Sequence, residues 1–385
     1  MKKLVFILLS ILLPVAATAQ QVVYDLNFEY NFDNREYDNS SEYYSKSMTI
    51  NGARLTPMVG LDLGEGKLDH RLMLGIDVVK DMGKHDEDSY TGDDENDELL
   101  REIVFFYNMK TELGNGVFDL TGGVIPRRMI KGFGEDSQEF LSDSLRWFDR
   151  NIDGILLKYN TPTAFFEAGC DWNGMFGQKR REEIEIFGDF DISLGEKFGV
   201  GWKFHLHHYA NSQEVSGVMD DCLTEIYGDF NLRRLRFLDE FKLRLAWLQS
   251  FQQDRRNDSG IIYPRGAMFE MYGLYRSIGF NNRFFFGTDM MPFYNQRDAA
   301  GNKYGPRLYW GDHFYRIHAE GPWNHFGGYE RVEVFWEPHI SKYVSIKCSV
   351  ICHFCQFKGF SFAGWQQKFS LVFDLPGNLF KSKRR

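Results

Sequence analysis

The sequence predicts an all-β chain: one transmembrane antiparallel up-and-down β-barrel of about 16 strands, with short turns at one end and long loops at the other. Three observations predict it. Segments of about ten residues alternate apolar and polar side chains, the period of a strand with two unlike faces. The connections between them alternate in length along the chain. Aromatic residues make up 16% of the chain, with 36 Phe and 19 Tyr, whereas 26% of residues are charged. With a mean hydropathy of -0.40, that charge content excludes a bundle of membrane helices.

The N-terminus reads as a signal peptide, residues 1–19. Lys2 and Lys3 form its basic start, Leu4 to Val15 its apolar run, and Ala17-Thr18-Ala19 its cleavage site. Beyond it no run approaches the ~20 apolar residues of a spanning helix. Residues 20–385 are therefore expected to form one barrel domain, since a chain held in a membrane by strands must close on itself. Without Lys2 and Lys3 that domain carries 43 basic against 54 acidic residues. The balance gives no support to nucleic-acid binding.

The strands follow in order. Tyr24, Leu26, Phe28, Tyr30 and Phe32 alternate with Asp25, Asn27, Glu29, Asn31 and Asp33, giving strand 1 one aromatic and one charged face. After a polar loop from Asn34 to Lys46, strands 2 and 3 form a hairpin about Gly64-Glu65-Gly66-Lys67. An acidic loop from Asp81 to Glu98 precedes strands 4 and 5, which turn at Gly114-Asn115-Gly116. A charged loop, 126–150, leads to strand 6 (Asn151 to Asn160), apolar on both faces around Ile155 to Leu157. Thr161-Pro162-Thr163 turns into strand 7, and strands 8 to 11 repeat the scheme through Trp247. Strands 12 and 13 turn at Arg276-Ser277-Ile278-Gly279. The longest loop, 291–325, is expected to be external, and strands 14 to 16 complete the set. An extension from Leu375 to Arg385 follows Phe373.

Strand parity assigns the inward row. Its acids are Asp25, Glu29, Asp62, Asp69, Asp77, Asp119, Glu167, Asp171, Glu183, Glu185, Asp189, Asp191, Glu225, Asp229, Glu270 and Glu333. Its bases are Arg71, Lys203, Lys242, Arg244, Arg283, Arg331, Lys347 and Lys368. A charge facing lipid near the midplane costs about 2–4 kcal/mol, so this row must face a wet lumen. Acids outnumber bases about two to one, which predicts a mild cation preference.

Other chemistry finds little footing. Cys348, Cys352 and Cys355 copy an iron–sulfur spacing, but Cys355 has the opposite strand parity. His205 and His207 share a face without a third ligand indicated. The run Asp86 to Glu98 lacks the spaced ligands of a calcium loop. No phosphate loop, nucleophile elbow or zinc helix motif appears, so the chain is read as having no catalytic residue, no metal and no cofactor.

Three stretches carry a family likeness: Gly123 to Arg128 (GVIPRR), Ser142 to Asn151 (SDSLRWFDRN), and Met291 to Tyr315 with MPFYN and LYWGDHFY. With the barrel pattern they make the chain resemble the porin-like outer-membrane β-barrels of Gram-negative bacteria, an uncharacterised branch of them. The resemblance implies a bacterial outer-membrane location, contact with lipid and lipopolysaccharide, and passive diffusion of small hydrophilic solutes. It also implies that the third long loop, 126–150, folds inward and narrows the pore. That loop offers Arg127, Arg128, Lys131, Glu135, Asp136, Glu139, Asp143, Arg146 and Arg150. With the wall residues Glu183, Glu185, Asp189, Lys203, Lys242, Arg244 and Arg331, they are the pore-lining candidates. The extension after Phe373 departs from the porin pattern, which closes on a terminal aromatic. Two other functions stay open. One is a structural or assembly subunit of a larger envelope complex, docking through the Tyr- and Trp-rich loop 291–325. The other is an outer-membrane enzyme. Homo-oligomers and envelope partner proteins are open as well.

Overall fold

The structure is a computed structural model that describes residues 21–38, 47–64, 67–82, 99–134, 137–235, 238–257, 260–317, 322–356 and 359–381, the side chains of 233–235 and 379–381 excepted. The signal segment, the acidic run 86–98, Glu135 and Asp136 lie outside those residues.

The alternating segments become sixteen strands. The first eight are β1 (Gln21–Tyr37), β2 (Met48–Asp62), β3 (Leu68–Asp81), β4 (Leu100–Leu113), β5 (Gly116–Pro126), β6 (Asn151–Asn160), β7 (Ala164–Gly174) and β8 (Glu183–Leu194). The second eight are β9 (Phe198–Tyr209), β10 (Met219–Leu235), β11 (Leu238–Asp254), β12 (Arg265–Tyr275), β13 (Ile278–Gly287), β14 (Gly327–Trp336), β15 (Val344–Gln356) and β16 (Phe360–Lys381). Each pairs antiparallel with its sequence neighbours, and β1 pairs with β16, so the sheet is a closed barrel. Closure leaves no sheet edge among the described strands, which is what a hydrocarbon surround demands. No described helix is long and apolar enough to cross a membrane.

Burial is inverted relative to a water-soluble protein. Leu55, Phe105, Ile155, Trp202, Leu245, Phe269 and Val334 are exposed on the outside. Asp77, Glu167, Glu185, Glu225 and His353 are buried inside. Such an outer face fits lipid, and the charged inner row is the one strand parity predicts. The doubly apolar strand 6 is resolved the same way. Ile155 is 56% exposed on the outer face while Leu156 is fully buried under a loop in the lumen. Cys348 and Cys352 share the outer row, and Cys355 is turned inward and buried.

The strand 1 aromatics form one side of the closing seam. Phe28 lies opposite Phe373 in register, with ring centroids 6.1 Å apart, and Tyr30 meets Phe369 at 5.9 Å. β1 continues past the expected loop start at Asn34, because Asn34 to Tyr37 pair with Gln367 to Gly364. The expected extension from Leu375 is not separate up to Lys381. It continues β16 and pairs with β1 back to Gln21, through a register shift at Val22/Val23. Without it the first residues of β1 would present an unpaired edge.

The connections sort by end. Those at 63–67, 114–115, 161–163, 195–197, 236–237, 276–277 and 337–343 share one end. At the other are 38–47, 82–99, 127–150, 175–182, 210–218, 255–264, 288–326 and the short 357–359. The longest of these departs from its expected external position. Tyr304, Tyr309, Trp310, Phe314 and Tyr315 are all buried, packed inside the barrel with residues of the 127–150 loop. Their apolar surface has no place in water, and the strands already supply the lipid-facing belt, so the lumen takes it.

Candidate functional site

The loop after β5 is closed at its base and then pinned across the lumen by its own charged groups. Pro126 ends the strand, and the Arg127 N–H donates to the Arg150 carbonyl at 2.6 Å, joining the two ends. A short helix, α1 (Asp143–Phe148), follows an N-cap in which the Ser142 hydroxyl accepts from the Leu145 N–H at 3.3 Å.

Each anchor joins loop to wall. Arg127, buried, lies 2.6 Å from Asp149 at the end of the loop and 2.9 Å from Asp171 of β7. Its other terminal nitrogen is 3.7 Å from Glu185 of β8. Burial works against the guanidinium charge, but these carboxylates more than offset it and hold its pKa above the usual range. Arg128 pairs with Asp25 of β1 at 3.0 Å, and Arg150 with Glu29 four residues along on the same face. Burial lowers the Arg150 pKa to about 10, still far above neutral. Lys131 acts through its backbone. Its N–H and that of Gly132 donate to the Glu167 carboxylate at 2.8–3.1 Å. Gly132 is required there, because a Cβ would stand 2.3 Å from Asp189 Cβ.

Further along, Lys203 donates to the Ser137 hydroxyl at 2.7 Å, and Glu139 accepts from Arg283 of β13 at 3.3 Å. Burial raises the Glu139 pKa, with Arg283 and Lys203 pulling the other way. Lys368 of β16 lies 3.0 Å from Asp143. Arg146 donates to the Leu141 carbonyl at 3.1 Å. An apolar foot completes the attachment, with Phe133 set edge-on to Phe140 at 5.2 Å and to Phe187 of β8 at 5.5 Å.

The segment 288–326 locks onto this loop. The Ser142 N–H donates to the Trp310 carbonyl and the Asp312 N–H to the Gln138 carbonyl, both at 2.7 Å. Gly311 fits only as glycine, since a Cβ would meet the Glu139 carbonyl oxygen at 2.2 Å. Trp310 lies between Arg127 (5.7 Å to the ring) and the imidazoles of His205 and His207 (5.6 and 4.9 Å). Those two histidines pair with Glu185 and Glu183, each at 2.9 Å. Among the described residues no group of three His, Cys, Asp or Glu is arranged for a metal ion. Beside β15, Phe314 stacks on His353 at 4.4 Å. Burial raises Asp289 and Asp312 to about 6 and lowers His313 to about 3, so at neutral pH the imidazole is neutral while both carboxylates stay mainly ionised, closer to protonation than an exposed aspartate.

The structure thus brings Arg127, Arg128, Lys131, Glu139, Asp143, Arg146, Glu185, Asp189 and Lys203 to one loop–wall junction. Glu183 sits apart with His207. Arg331 pairs with Glu333 at 2.8 Å, and its charge acts on Asp143. Lys242 and Arg244 share Asp229, at 3.5 and 2.7 Å, away from the loop. Sequence parity missed Arg35 and Arg54, which anchor α1. Arg35 donates to Ser144 at 2.6 Å, and Arg54 donates to the Trp147 carbonyl at 2.5 Å. Their position on the inward row of β1 and β2 was the available signal.

Cavities remain in the barrel among the described residues. One of ≈ 290 Å³ lies between the 127–150 loop and β1, β15 and β16. A second of ≈ 330 Å³, lined by Lys242, Arg244, Glu270, Glu333 and Lys347, shares Lys347 with the first. A third of ≈ 380 Å³ lies toward the turn end, near Asp25, Arg71 and Lys110.

The fold is the closed sixteen-stranded antiparallel barrel that the sequence predicts. No known family matches the sequence, and no curated protein does either. Solved structures with a similar course include OprB of Pseudomonas putida, at 10% identity over 94% of this chain and 96% of that one, with a TM-score of 0.48. A loop L8 deletion mutant of OmpT, an outer membrane protein of Vibrio cholerae, gives 10%, 92%, 99% and 0.49. A triple mutant of the Rhodopseudomonas blastica porin gives 9%, 92%, 100% and 0.46. At such identities and TM-scores these likenesses add nothing to what the closed barrel itself shows.

Proposed function

We propose that this chain, from residue 20 on, is a single-domain porin-like channel of the bacterial outer membrane through which small hydrophilic solutes diffuse passively. The apolar outer face and charged inner row support the membrane placement. One observation carries the channel reading. The loop 126–150 is held across the lumen by ion pairs to β1, β7, β8, β13 and β16, yet a charged cavity stays open beside it. A fixed constriction lined by both signs of charge sorts solutes by size and charge, which is what a diffusion pore needs. Surrounding lipid and lipopolysaccharide are the expected partners of the outer face.

The wall charges alone, acidic by about two to one, favour a mild cation preference. Arg127, Arg128 and Arg150 oppose it by neutralising wall carboxylates. Planar-bilayer recording of the purified protein tests the reading. Discrete ohmic conductance steps are expected, and their absence across repeated insertions of intact barrel would refute it.

A second reading has its own observation. The aromatics Tyr304, Tyr309, Trp310, Phe314 and Tyr315 of the segment 288–326 are packed inside the lumen instead of presented outside. A lumen occupied in this way suits a structural or assembly subunit of an envelope complex. Stoichiometric co-purifying proteins together with zero conductance would select that reading, and a conducting barrel without partners would reject it.

A further inference from the structure

The ≈ 290 Å³ cavity beside the crossing loop has a charge balance opposite to that of the strands around it. Six cationic side chains line it: Arg127, Arg128, Arg146, Arg150, Lys347 and Lys368. Only three carboxylates do, Glu29, Asp33 and Asp143. Ile130, Phe133, Leu141 and Trp147 give one side of it an apolar surface. A basic space with an apolar flank is unexpected in a lumen whose inward strand row is acidic.

Asp143 shows what the cations are arranged to hold. Its carboxylate lies 3.0 Å from Lys368 Nζ and accepts from the side-chain amides of Gln138 and Gln366, both at 3.3 Å. Burial works to raise its pKa, but Lys368, Arg331, Arg35 and Arg146 overcome that and hold it well below the usual carboxylate range. The carboxylate comes from α1 of the loop and the ammonium from the wall, so the contact spans the junction that borders the cavity. One carboxylate supplied by the chain therefore occupies a position where several positive charges converge.

We infer that this cavity is a subsite for small organic anions on the permeation path, where a solute carboxylate replaces that of Asp143 on Lys368 while its apolar part lies against Phe133 and Leu141. The inference rests on the channel reading for its place on a path, but the subsite itself does not. Exchange of one carboxylate for another keeps the ammonium paired throughout, so the cost of leaving that cation buried and unpaired is avoided, while the displaced Asp143 keeps its hydrogen bond from Gln138. A neutral solute of the same shape cannot make the exchange.

The experiment uses the purified full chain in detergent and in planar bilayers. Ligand-detected NMR titrations compare propionate with its neutral isostere propionamide and with inorganic phosphate. Propionate should bind and propionamide should not; equal binding of the two would overturn the inference. Phosphate binding tighter than propionate would overturn the assignment to organic anions with an apolar flank. A charge-assisted hydrogen bond contributes about 1.5 kcal/mol or more, so Lys368→Gln should weaken propionate about tenfold. Asp143→Asn should strengthen it, because the internal competitor is gone. Lys342→Gln, on an exposed turn, serves as the control, and a loss equal to that of Lys368→Gln would overturn the site. Heat-modifiable gel migration confirms that each variant is a folded barrel. In a salt gradient the reversal potential should fall on the anion side. Conductance with a cation-side potential and no propionate binding refutes the subsite and leaves the channel intact. Propionate binding lost in Lys368→Gln, without any conductance, keeps the subsite and refutes the channel.

Discussion

Arg127 is the residue whose loss should free the crossing loop. Its guanidinium faces three carboxylates at 2.6, 2.9 and 3.7 Å. Asp149 is 33% exposed and solvent screens it, so that contact adds little. Asp171 and Glu185 are 1% and 2% exposed, and Arg127→Met would leave both buried beside an apolar group. Breaking such a buried pair from one side costs about 3–5 kcal/mol. The loss falls on the loop–wall junction, because the sixteen-strand ladder does not pass through Arg127. The variant should therefore keep its β-sheet circular dichroism and its heat-modifiable migration. Limited trypsinolysis should cut after Lys131 or Arg146 many times faster, and channel conductance should rise. Asp171→Asn in the Arg127→Met background should recover part of the loss, with a coupling of about 1–3 kcal/mol in a double-mutant cycle. Unchanged proteolysis in Arg127→Met would refute the claim that this ion cluster holds the loop. A collapsed barrel would refute the separation of loop from ladder.

Other outcomes follow from the same geometry. Phe28→Arg puts a charge on the lipid face and should cost about 2–4 kcal/mol of membrane assembly, whereas Glu29→Arg faces the lumen and should assemble; equal assembly yields on folding into vesicles would show the parity to be wrong. Gly132→Ala forces a Cβ into Asp189 and should displace the loop at a cost of about 1–3 kcal/mol, read as faster trypsin cleavage at constant barrel dichroism. Asp143 has a folded pKa held below its unfolded value, so it stabilises above the unfolded value and this contribution is lost as pH falls toward the folded one. Asp143→Asn should accordingly flatten the acid side of a melting-temperature profile taken below pH ~4; an unchanged acid side would show that the carboxylate is not held by those cations.

How much was legible depends on period. A strand alternates with a period of two, so every strand but the sixth, apolar on both faces around Ile155 to Leu157, could be assigned a wet and an oily face from its own residues. The aromatic row of Tyr24 to Phe32 and the acids Asp25 and Glu29 fell where that rule puts them. The third loop was reachable because its charges need partners and the wall row offers them. The 288–326 segment was not reachable that way, since Phe293, Tyr304, Tyr309, Trp310 and Phe314 follow no period. Its signal was of another kind. A connection that rich in aromatics in a chain whose strands already supply the lipid belt has to bury them elsewhere, and a barrel offers only its interior.

The sign of the lumen charge was hidden for a related reason. Counting inward strand residues gives an acidic wall, but a wall carboxylate facing a loop arginine presents little net field to a solute. Asp25 is matched by Arg128, Glu29 by Arg150, and Asp171 and Glu185 by Arg127. Glu167 is matched by Lys158 at 3.5 Å together with two backbone N–H groups of the loop. What a solute meets is the field left after this pairing, and the side chains that face the ≈ 290 Å³ cavity itself are six cations against three carboxylates. Selectivity is therefore a property of how the loop's arginines are distributed over the wall's acids. A change that only moves the loop, such as Arg127→Met, should move the reversal potential toward the cation side as the wall carboxylates are uncovered.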